Sequence, residues 1–350
     1  MVAKKQLPTM WQVAERAGVS QATVSLVLNK AGGGRVAQAT QERVHKAVDE
    51  LGYRTNAFAK SLRSGESGMI GFISDEVASA PFSGGLLKGA QMRAWESENV
   101  ILSVETFGSL ELETAAIEMM QSYRVRGVIY ATMYHRHVEV PAALSGIPVV
   151  VLNAFDIDGT HSSVFPDERH GGFRATSHLI ESGHQRIGMI NIQQPDSNLP
   201  AGIGRLAGYR AALAEAGIAF DASLVRPGYG TVEDGLEHGA ALVGLDDPPT
   251  AIFCGNDRTA WGAYRALEAR GLRIPDDCSI VGFDNQETTA PHLDPGLTTV
   301  ELPFEDMARH AIDLLLSPAD TTKQIPVHGR LVERSSVAAP AQRTAKAPHE

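Results

Sequence analysis

The sequence predicts a small all-α head with a helix-turn-helix, followed by a larger α/β core of two lobes built on parallel sheets. Residues 1–65 carry ten Lys and Arg residues against four Asp and Glu residues, a net charge of +6, whereas the whole 350-residue chain carries −10. Short helical patterns fill this basic segment, and from Met69 onward apolar strands alternate with helices. A small basic head on an acidic body is typical of a protein whose head binds a polyanion.

The composition excludes several classes of protein. Hydrophobic residues make up 43% and charged residues 21%, as in globular rather than disordered chains. Two cysteines, Cys254 and Cys278, are too few for a disulfide framework and favour a reducing cytoplasm. There is no run of about 18 apolar residues and no apolar segment of a secretory signal at the N-terminus. We therefore expect a cytoplasmic protein without a membrane span.

The first helix of the head should begin after Thr9. Thr9 and Gln12 have the spacing of a capping box, in which each residue satisfies a backbone N–H of the other. Apolar residues follow at helical spacing, and Gly18 offers a left-handed end.

The second helix is predicted from Gln21 to Asn29, with Ser20 as its cap. Its apolar edge, which should pack on the first helix, consists of Val24, Val27 and Leu28. Its outer face consists of Gln21, Ala22 and Ser25, with Leu26 near that edge. A helix that enters a DNA major groove needs such a thin apolar edge and a small, uncharged outer face.

A third helix is predicted over Gln38 to Leu51 and should end at Gly52. Two short helices joined by a Gly-containing turn, followed by a third, make a helix-turn-helix. A three-helix cap that does not touch DNA is the alternative. The charge of +6 on residues 1–65 favours DNA binding.

The stretches WQVAERAGVSQATVSLVLN and TQERVHKAVDELGYRTNAFAKSLR resemble the head of the LacI/GalR (lactose-repressor) family of transcription regulators. The resemblance implies that Gln21, Ala22 and Leu26 face bases while Thr23 and Ser25 face phosphates. Gln21 can pair with an adenine edge, whereas Ala22 and Leu26 offer apolar contact, for example to a thymine methyl. The full set of DNA-binding residues expected is Thr9, Ser20, Gln21, Ala22, Thr23, Ser25, Leu26, Asn29, Asn56, Ala57 and Leu62.

The chain departs from this family at three places in the head. Leu26 stands where many relatives have a longer polar residue, the loop Lys30 to Arg35 is about two residues longer than expected, and Ala37 replaces a capping Ser. The lost cap costs about 1 kcal/mol, which a packed domain tolerates.

Residues 54–67 are predicted to form a hinge between head and core. Thr55 or Asn56 can start a short helix, which is too short to be stable alone. The resemblance implies a hinge helix that folds when two copies pair over the centre of an operator, with Leu62 inserted into the minor groove. Thr55 stands where the family usually has Pro. The alternative is a flexible linker.

The core should be a series of strands and helices. The predicted strands are MIGFIS, VILSVETF, GVIYAT, IPVVVLN, HSSVFP, RIGMINI, AIFCGN and CSIVGF. The predicted helices are Phe82 to Glu98, Leu112 to Tyr123, Gly171 to Ser182, Ile203 to Ala216, Val232 to Leu245 and Thr259 to Arg270. Continuous apolar strands between helices indicate parallel sheets covered on both faces, and this many units indicates two lobes.

Residues 69–335 resemble the periplasmic-binding-protein-like core of the same family. The resemblance implies three crossings between a lobe of about 68–166 with 300–328 and a lobe of about 167–299 with 329–340. It also implies a homodimer that binds a near-palindromic operator and an effector in the interlobe cleft. The segment AAPAQRTAKAPHE after Val337 looks disordered, and we take 341–350 as a disordered tail.

Three polar residues near strand ends are expected to contact the effector: Arg205, Asn256 and Asp284. Their donors and acceptors suit a polyol such as a sugar. For Arg205 and Asp284 the alternative is a structural ion pair between loops. Further candidates to line the first lobe are Asp75, Phe82 and Asn153. Asp257 is expected to be structural, as a cap of the following helix.

Other signals carry less weight. The stretch GIGRLA around Gly202 has the letters of a dinucleotide fingerprint, but nine residues separate it from the preceding strand, so no nucleotide cofactor is expected. His135 and His137 are taken as solvated loop residues rather than metal ligands. The favoured function is a DNA-binding transcriptional regulator, most simply a repressor. The alternatives are a solute-binding protein, which needs a signal peptide and no basic head, and an enzyme, which needs an acid–base pair or metal site in the cleft.

Overall fold

The computed structural model describes residues 8–28, 36–53, 67–80, 83–193, 198–317 and 321–341. The chain divides into two compact units. One unit, the head, comprises Met1–Gly68 with Tyr123–Val125, and the other, the core, comprises Met69–Ser122 with Arg126–Glu350.

The head contains helices α1 (Met10–Ala17), α2 (Gln21–Leu28) and α3 (Gln38–Leu51). The predicted capping box is confirmed, since the Gln12 backbone N–H donates to Thr9 Oγ1 at 3.4 Å and the Thr9 N–H donates to Gln12 Oε1 at 2.8 Å. Gly18 ends α1 at a φ of 66° and Ser20 Oγ caps α2 by accepting from the Thr23 N–H at 3.1 Å.

A small apolar core joins the three helices of the head. Val13 of α1, Val24 of α2 and Val44 of α3 are fully buried in it, and Val27 joins them. Burying each such side chain contributes roughly 1.5–3 kcal/mol, so the inner face predicted for α2 is the one that holds the head together.

Lobe 1 of the core is a parallel sheet whose described strands follow the order β11-β5-β4-β3-β1-β2. These strands are β1 (Met69–Ser74), β2 (Val100–Glu105), β3 (Val128–Val138), β4 (Val149–Asp156), β5 (Ser162–Pro166) and β11 (Gln324–Val327). The helices of this lobe are α4 (Gly84–Glu96), α5 (Leu110–Ser122) and α10 (Phe304–Leu316). α4 packs against α10, and both cover an apolar core that includes Phe72 and Ile129.

Lobe 2 is a second sheet of order β12-β10-β9-β8-β6-β7, parallel except for the pairing of β12 with β10. Its described strands are β6 (Ile187–Ile190), β7 (Val225–Arg226), β8 (Ala251–Cys254), β9 (Ser279–Asp284), β10 (Thr298–Glu301) and β12 (Leu331–Val332). Its helices are α6 (Glu168–Glu181), α7 (Pro200–Glu215), α8 (Val232–Val243) and α9 (Asp257–Glu268), which pack as the pairs α6–α7 and α8–α9. Short 3₁₀ turns lie at Ala142–Leu144, Ala222–Leu224 and Ala290–His292.

Three connections join the lobes: β5 to α6, β10 to α10 and β11 to β12. They run side by side, because the Asp167 N–H donates to the Val327 carbonyl at 2.9 Å and the Glu301 N–H donates to the Arg330 carbonyl at 2.8 Å. The carboxyl ends of both sheets therefore meet near these connections, where ligands bind in open α/β sheets.

Two expectations about the core are wrong in detail. Asp257 does not cap α9, because Asn256 is the cap and its Oδ1 accepts from the Thr259 N–H at 2.8 Å. The segment after Val337 is ordered as far as residue 341, since the Ala338 carbonyl accepts hydrogen bonds from the Ser279 hydroxyl and lies 2.9 Å from His184 Nε2. Residues 342–350 lie outside the described part of the chain.

Candidate functional site

A small cavity of about 80 Å³ lies between the two lobes of the core. Residues from lobe 1 that line it are Met133, Tyr134 and His135 of β3, Asn153 of β4 and Phe304 of α10. Residues from lobe 2 and its connections are Glu168, Ile192, Leu199, Ala201, Arg205, Tyr229, Asn256, Arg258, Asp284 and Leu302. The structure thus brings together Asn153, Arg205, Asn256 and Asp284, which the sequence predicted to meet at a ligand site.

Arg205 is the centre of a buried ion cluster in this cavity. Its side chain is 3% exposed, and its Nε donates to Glu168 Oε2 at 2.8 Å. Its Nη1 lies 3.5 Å from Asp284 Oδ1 and donates to the Gly255 carbonyl. The guanidinium also stacks on the Phe283 ring, 3.8 Å from its centroid. The sequence left open a structural ion pair between Arg205 and Asp284. This ion pair exists, and both residues line the cavity.

Close packing of α6 against α7 holds Arg205 beside Glu168. A Cβ at Gly172 of α6 would lie 2.8 Å from the Arg205 Cα and overlap the Arg205 carbonyl oxygen. A Cβ at Gly208 of α7 would overlap the Arg169 carbonyl oxygen in the same way. Gly172 and Gly208 therefore serve helix packing, and this packing sets the distance between the two charged side chains.

Asp284 ends β9 with a strained backbone. Its φ of 102° is rare for a residue with a side chain, and such strain concentrates at functional sites. Burial raises the pKa of its carboxyl, while the Arg205 guanidinium and the Gln286 side chain oppose that rise. Gln286 Nε2 donates to Asp284 Oδ2 at 3.0 Å. The carboxylate is thus partly paired and turned toward the cavity.

The charges of the ionised groups in the cavity balance. Glu168 is buried, which disfavours its charged form, yet the adjacent Arg205 guanidinium lowers the pKa of its carboxyl. Among the described lining residues, Glu168 and Asp284 face Arg205 and Arg258, so two negative and two positive groups meet. A bound anion or cation would disturb this balance among buried charged groups.

The two asparagines in the cavity are partly used by the fold. Asn256 Nδ2 donates to the Gly230 carbonyl at 3.0 Å, and its Oδ1 caps α9. Asn153 has a φ of 57°, and its Nδ2 donates to the Thr132 and Met133 carbonyls at 3.0 Å each. Both side chains therefore fix the cavity wall, and each keeps only part of its capacity for a ligand.

Asp75 does not join these residues. Its Oδ1 accepts from the Glu76 and Met133 backbone N–H groups at 2.7 Å and 2.8 Å, and its Oδ2 accepts from Arg136 at 3.0 Å. It lines a separate cavity of about 310 Å³ within lobe 1. Phe82 lies outside the described residues.

Five polar residues of the cavity were not predicted from the sequence as part of the site: Tyr134, His135, Glu168, Tyr229 and Arg258. His135 is buried within β3, so its interpretation as a solvated loop residue is wrong. Glu168 opens α6, three residues before the predicted start of that helix, where Asp167 supplies the cap. The acidic pair Asp167-Glu168 directly after a buried strand was the available signal for this helix start.

The outer face of α2 is exposed as predicted. Gln21 and Ala22 are exposed, Leu26 is 37% exposed and Ser25 is half-buried. Thr23 Oγ1 lies 2.9 Å from Ser20 Oγ, which ties the first turn together. Four residues expected at the DNA lie outside the described residues: Asn29, Asn56, Ala57 and Leu62.

Within the described ranges, no group of three or more His, Cys, Asp or Glu side chains could hold a metal ion. A helix with the length and apolar content needed to cross a membrane is also absent from these ranges.

Comparisons with known proteins match both units. Residues 9–56 match the model for bacterial regulatory proteins of the lacI family, and residues 176–337 match the periplasmic binding protein-like domain. The chain is 33% identical over 339 residues to the HTH-type transcriptional repressor PurR of Proteus mirabilis, covering 95% of this chain and 97% of that protein. It is 32% identical over 342 residues to the HTH-type transcriptional regulator AscG of Escherichia coli K12, covering 96% and 100%.

Solved structures show the same fold. The lac repressor dimer bound to operator and the anti-inducer ONPF aligns with a TM-score of 0.77 at 26% identity, over 95% of this chain and all of the other. The complex of the transcriptional regulator CelR with cellobiose aligns with a TM-score of 0.63 at 29% identity, over 94% and 100%.

Proposed function

The chain belongs to the LacI family of bacterial regulatory proteins, and we propose that its core binds a small uncharged polyol, most simply a sugar, between the lobes. Because it belongs to this family, the protein is a DNA-binding transcriptional repressor. Its affinity for operator DNA changes when an effector binds. The proposal concerns the class of effector, the residues that contact it and the partner chain, which we take to be a second copy.

The buried cluster of Arg205, Glu168 and Asp284 is the observation that carries the proposal. Carboxylates accept hydrogen bonds from hydroxyl groups, and a guanidinium donates to them in a fixed plane. The charges of the cavity balance, which disfavours phosphorylated or carboxylated ligands. The complex of CelR with cellobiose supports a sugar in a relative of the same fold.

The contacts to DNA are proposed on the same basis. The exposed outer face of α2, with Gln21, Ala22 and Leu26, supports base contacts in the major groove. Thr23 and Ser25, with the helix caps Thr9 and Ser20, would face phosphates, and Asn29, Asn56, Ala57 and Leu62 complete the proposed interface. Such a regulator acts in the cytoplasm, as a homodimer on a near-palindromic site, and has no enzymatic role.

The test measures the affinity of the full-length protein for a DNA duplex selected from a random pool, in the presence and absence of sugars. Asp284→Ala should abolish the change in DNA affinity caused by a sugar and leave DNA affinity without sugar unchanged. Asp158→Ala is the matched control, because Asp158 is exposed in the turn after β4. An unchanged sugar response in Asp284→Ala would remove Asp284 from the site.

A further inference from the structure

His135 is a buried polar residue that the fold does not fully use. It lies in the outer half of β3, and its side chain is 5% exposed. Its ring stacks with Phe165, at 5.6 Å between centroids, and leans on Phe155, at 4.6 Å. These aromatic contacts hold the plane of the ring.

Neither ring nitrogen of His135 has a hydrogen-bond partner among the described residues. The nearest charged group is Glu168, whose Oε1 lies 3.6 Å from Nδ1, which is longer than a hydrogen bond. Buried polar atoms are almost always hydrogen-bonded, and an exception often marks a missing water, ion or ligand. Both nitrogens are therefore available to bind a further group.

The position of His135 shows where a group that pairs with its nitrogens would bind. His135 belongs to lobe 1, whereas Glu168, Arg205 and Asp284 belong to lobe 2, and all four line the same interlobe cavity. Asn153, which also belongs to lobe 1, already donates its amide N–H groups to backbone carbonyls of β3. His135 thus gives lobe 1 a polar group with unused hydrogen-bonding capacity that faces the cavity.

We propose that His135 is the lobe 1 contact for the effector, so that hydroxyl groups of one ligand bridge His135 in lobe 1 and the Arg205–Asp284 cluster in lobe 2. A neutral imidazole carries one donor and one acceptor, and a hydroxyl group is both donor and acceptor, so the two match. This inference rests on the proposed function and makes it more specific, because the ligand must carry hydroxyl groups on opposite sides. A ligand of this kind holds the lobes closed.

The experiment compares full-length His135→Phe and His135→Gln with the wild type. Phe keeps the aromatic stacking and removes both nitrogens, whereas Gln restores a donor and an acceptor. His137→Phe is the matched control, since His137 lies on the same strand, contacts Phe155 at 5.2 Å and is exposed. The probes are D-ribose, D-glucose, D-galactose and cellobiose, titrated by calorimetry, and thermal unfolding is measured without any sugar.

We expect the Tm of His135→Phe without sugar to equal or exceed that of the wild type, because unsatisfied polar atoms are lost. The Kd of the best-binding sugar should rise about tenfold or more, a loss of about 1.4 kcal/mol. His135→Gln should recover part of that affinity, which a purely steric effect of Phe would not predict. His137→Phe should change neither quantity.

Three results would overturn the role of His135. A fall in Tm of several degrees in sugar-free His135→Phe, beyond that of the control, would mean that its nitrogens are already paired. A sugar that binds the wild type and His135→Phe equally would leave the proposed function standing and remove His135 from the site. If none of the four sugars binds the wild type, the proposed class of effector is wrong, and the bridge through His135 is wrong with it.

Discussion

Gly172→Ala tests whether the close approach of α6 and α7 builds the site. The added Cβ would lie 2.8 Å from the Arg205 Cα and 2.9 Å from its carbonyl carbon. Carbon atoms prefer a separation of roughly 3.5–4.0 Å, so the two helices must move apart by about 1 Å. The obstructing atoms belong to the backbone and cannot rotate away.

The expected loss follows from two opposing terms. Overpacking of this kind costs about 1–3 kcal/mol, and the better helix propensity of Ala returns up to about 1 kcal/mol. We expect a net loss of about 1–2 kcal/mol in the free energy of unfolding, or a Tm lower by about 2–8 °C. Sugar affinity should fall as well, because the same movement separates Arg205 from Glu168.

Thermal unfolding followed by circular dichroism measures the first effect, and calorimetric titration with the best-binding sugar measures the second. Gly84→Ala is the matched control, because Gly84 is exposed at the start of α4 and its Cβ would meet no atom within 4 Å. The control should be as stable as the wild type or slightly more stable. If Gly172→Ala unfolds at the wild-type temperature, the contact does not determine the spacing of the two helices.

Three further outcomes are expected. Burial raises the pKa of the Asp257 carboxyl from 3.8 to about 8. Between these pH values the carboxyl is protonated in the folded protein and ionised in the unfolded chain, so the free energy of unfolding falls as pH rises. Asp257→Asn should therefore lose less stability than the wild type between pH 6 and pH 8 in urea titrations, and equal slopes would contradict the buried carboxyl. Tyr209→Phe should cost about 1 kcal/mol in urea unfolding, because the buried Tyr209 hydroxyl donates to the Ile187 carbonyl at 2.7 Å, and no loss would mean that this bond contributes nothing. Leu26→Gln should change the base preferred in duplexes selected from a random pool, and an unchanged preference would remove Leu26 from the groove.

Elements whose pattern is local were predictable from the sequence. The capping box at Thr9, the glycine ends of α1 and α3 and the buried runs of β4 and β8 depend on neighbouring residues, and the structure has them where the pattern indicates. Helix starts in the core were less accurate, because the cap alone decides them. α9 begins at Asp257 rather than Thr259 since Asn256 supplies the cap.

The site was predictable only in part, and β3 shows why. The apolar run GVIYAT predicted the first half of this strand, but β3 continues to Val138 after a shift in its register with β4 between Ala131 and Arg136. That extension depends on pairing with β4, which periodicity does not reveal. His135 lies beyond the shift and was therefore interpreted as a loop residue.

The state of the cavity without ligand limits how strongly an effector can act. The Arg205–Glu168–Asp284 cluster is already paired, so ligand hydroxyls on that side exchange one hydrogen bond for another and gain about 0.5–1.5 kcal/mol each. A ligand shifts the arrangement of the lobes only by the difference between its affinities for the two states. Contacts to lobe 2 alone persist when the lobes separate and contribute little to that difference. A ligand that also contacts His135 favours the closed arrangement, so the response of the repressor to its effector should depend on this histidine as well as on the charged residues opposite.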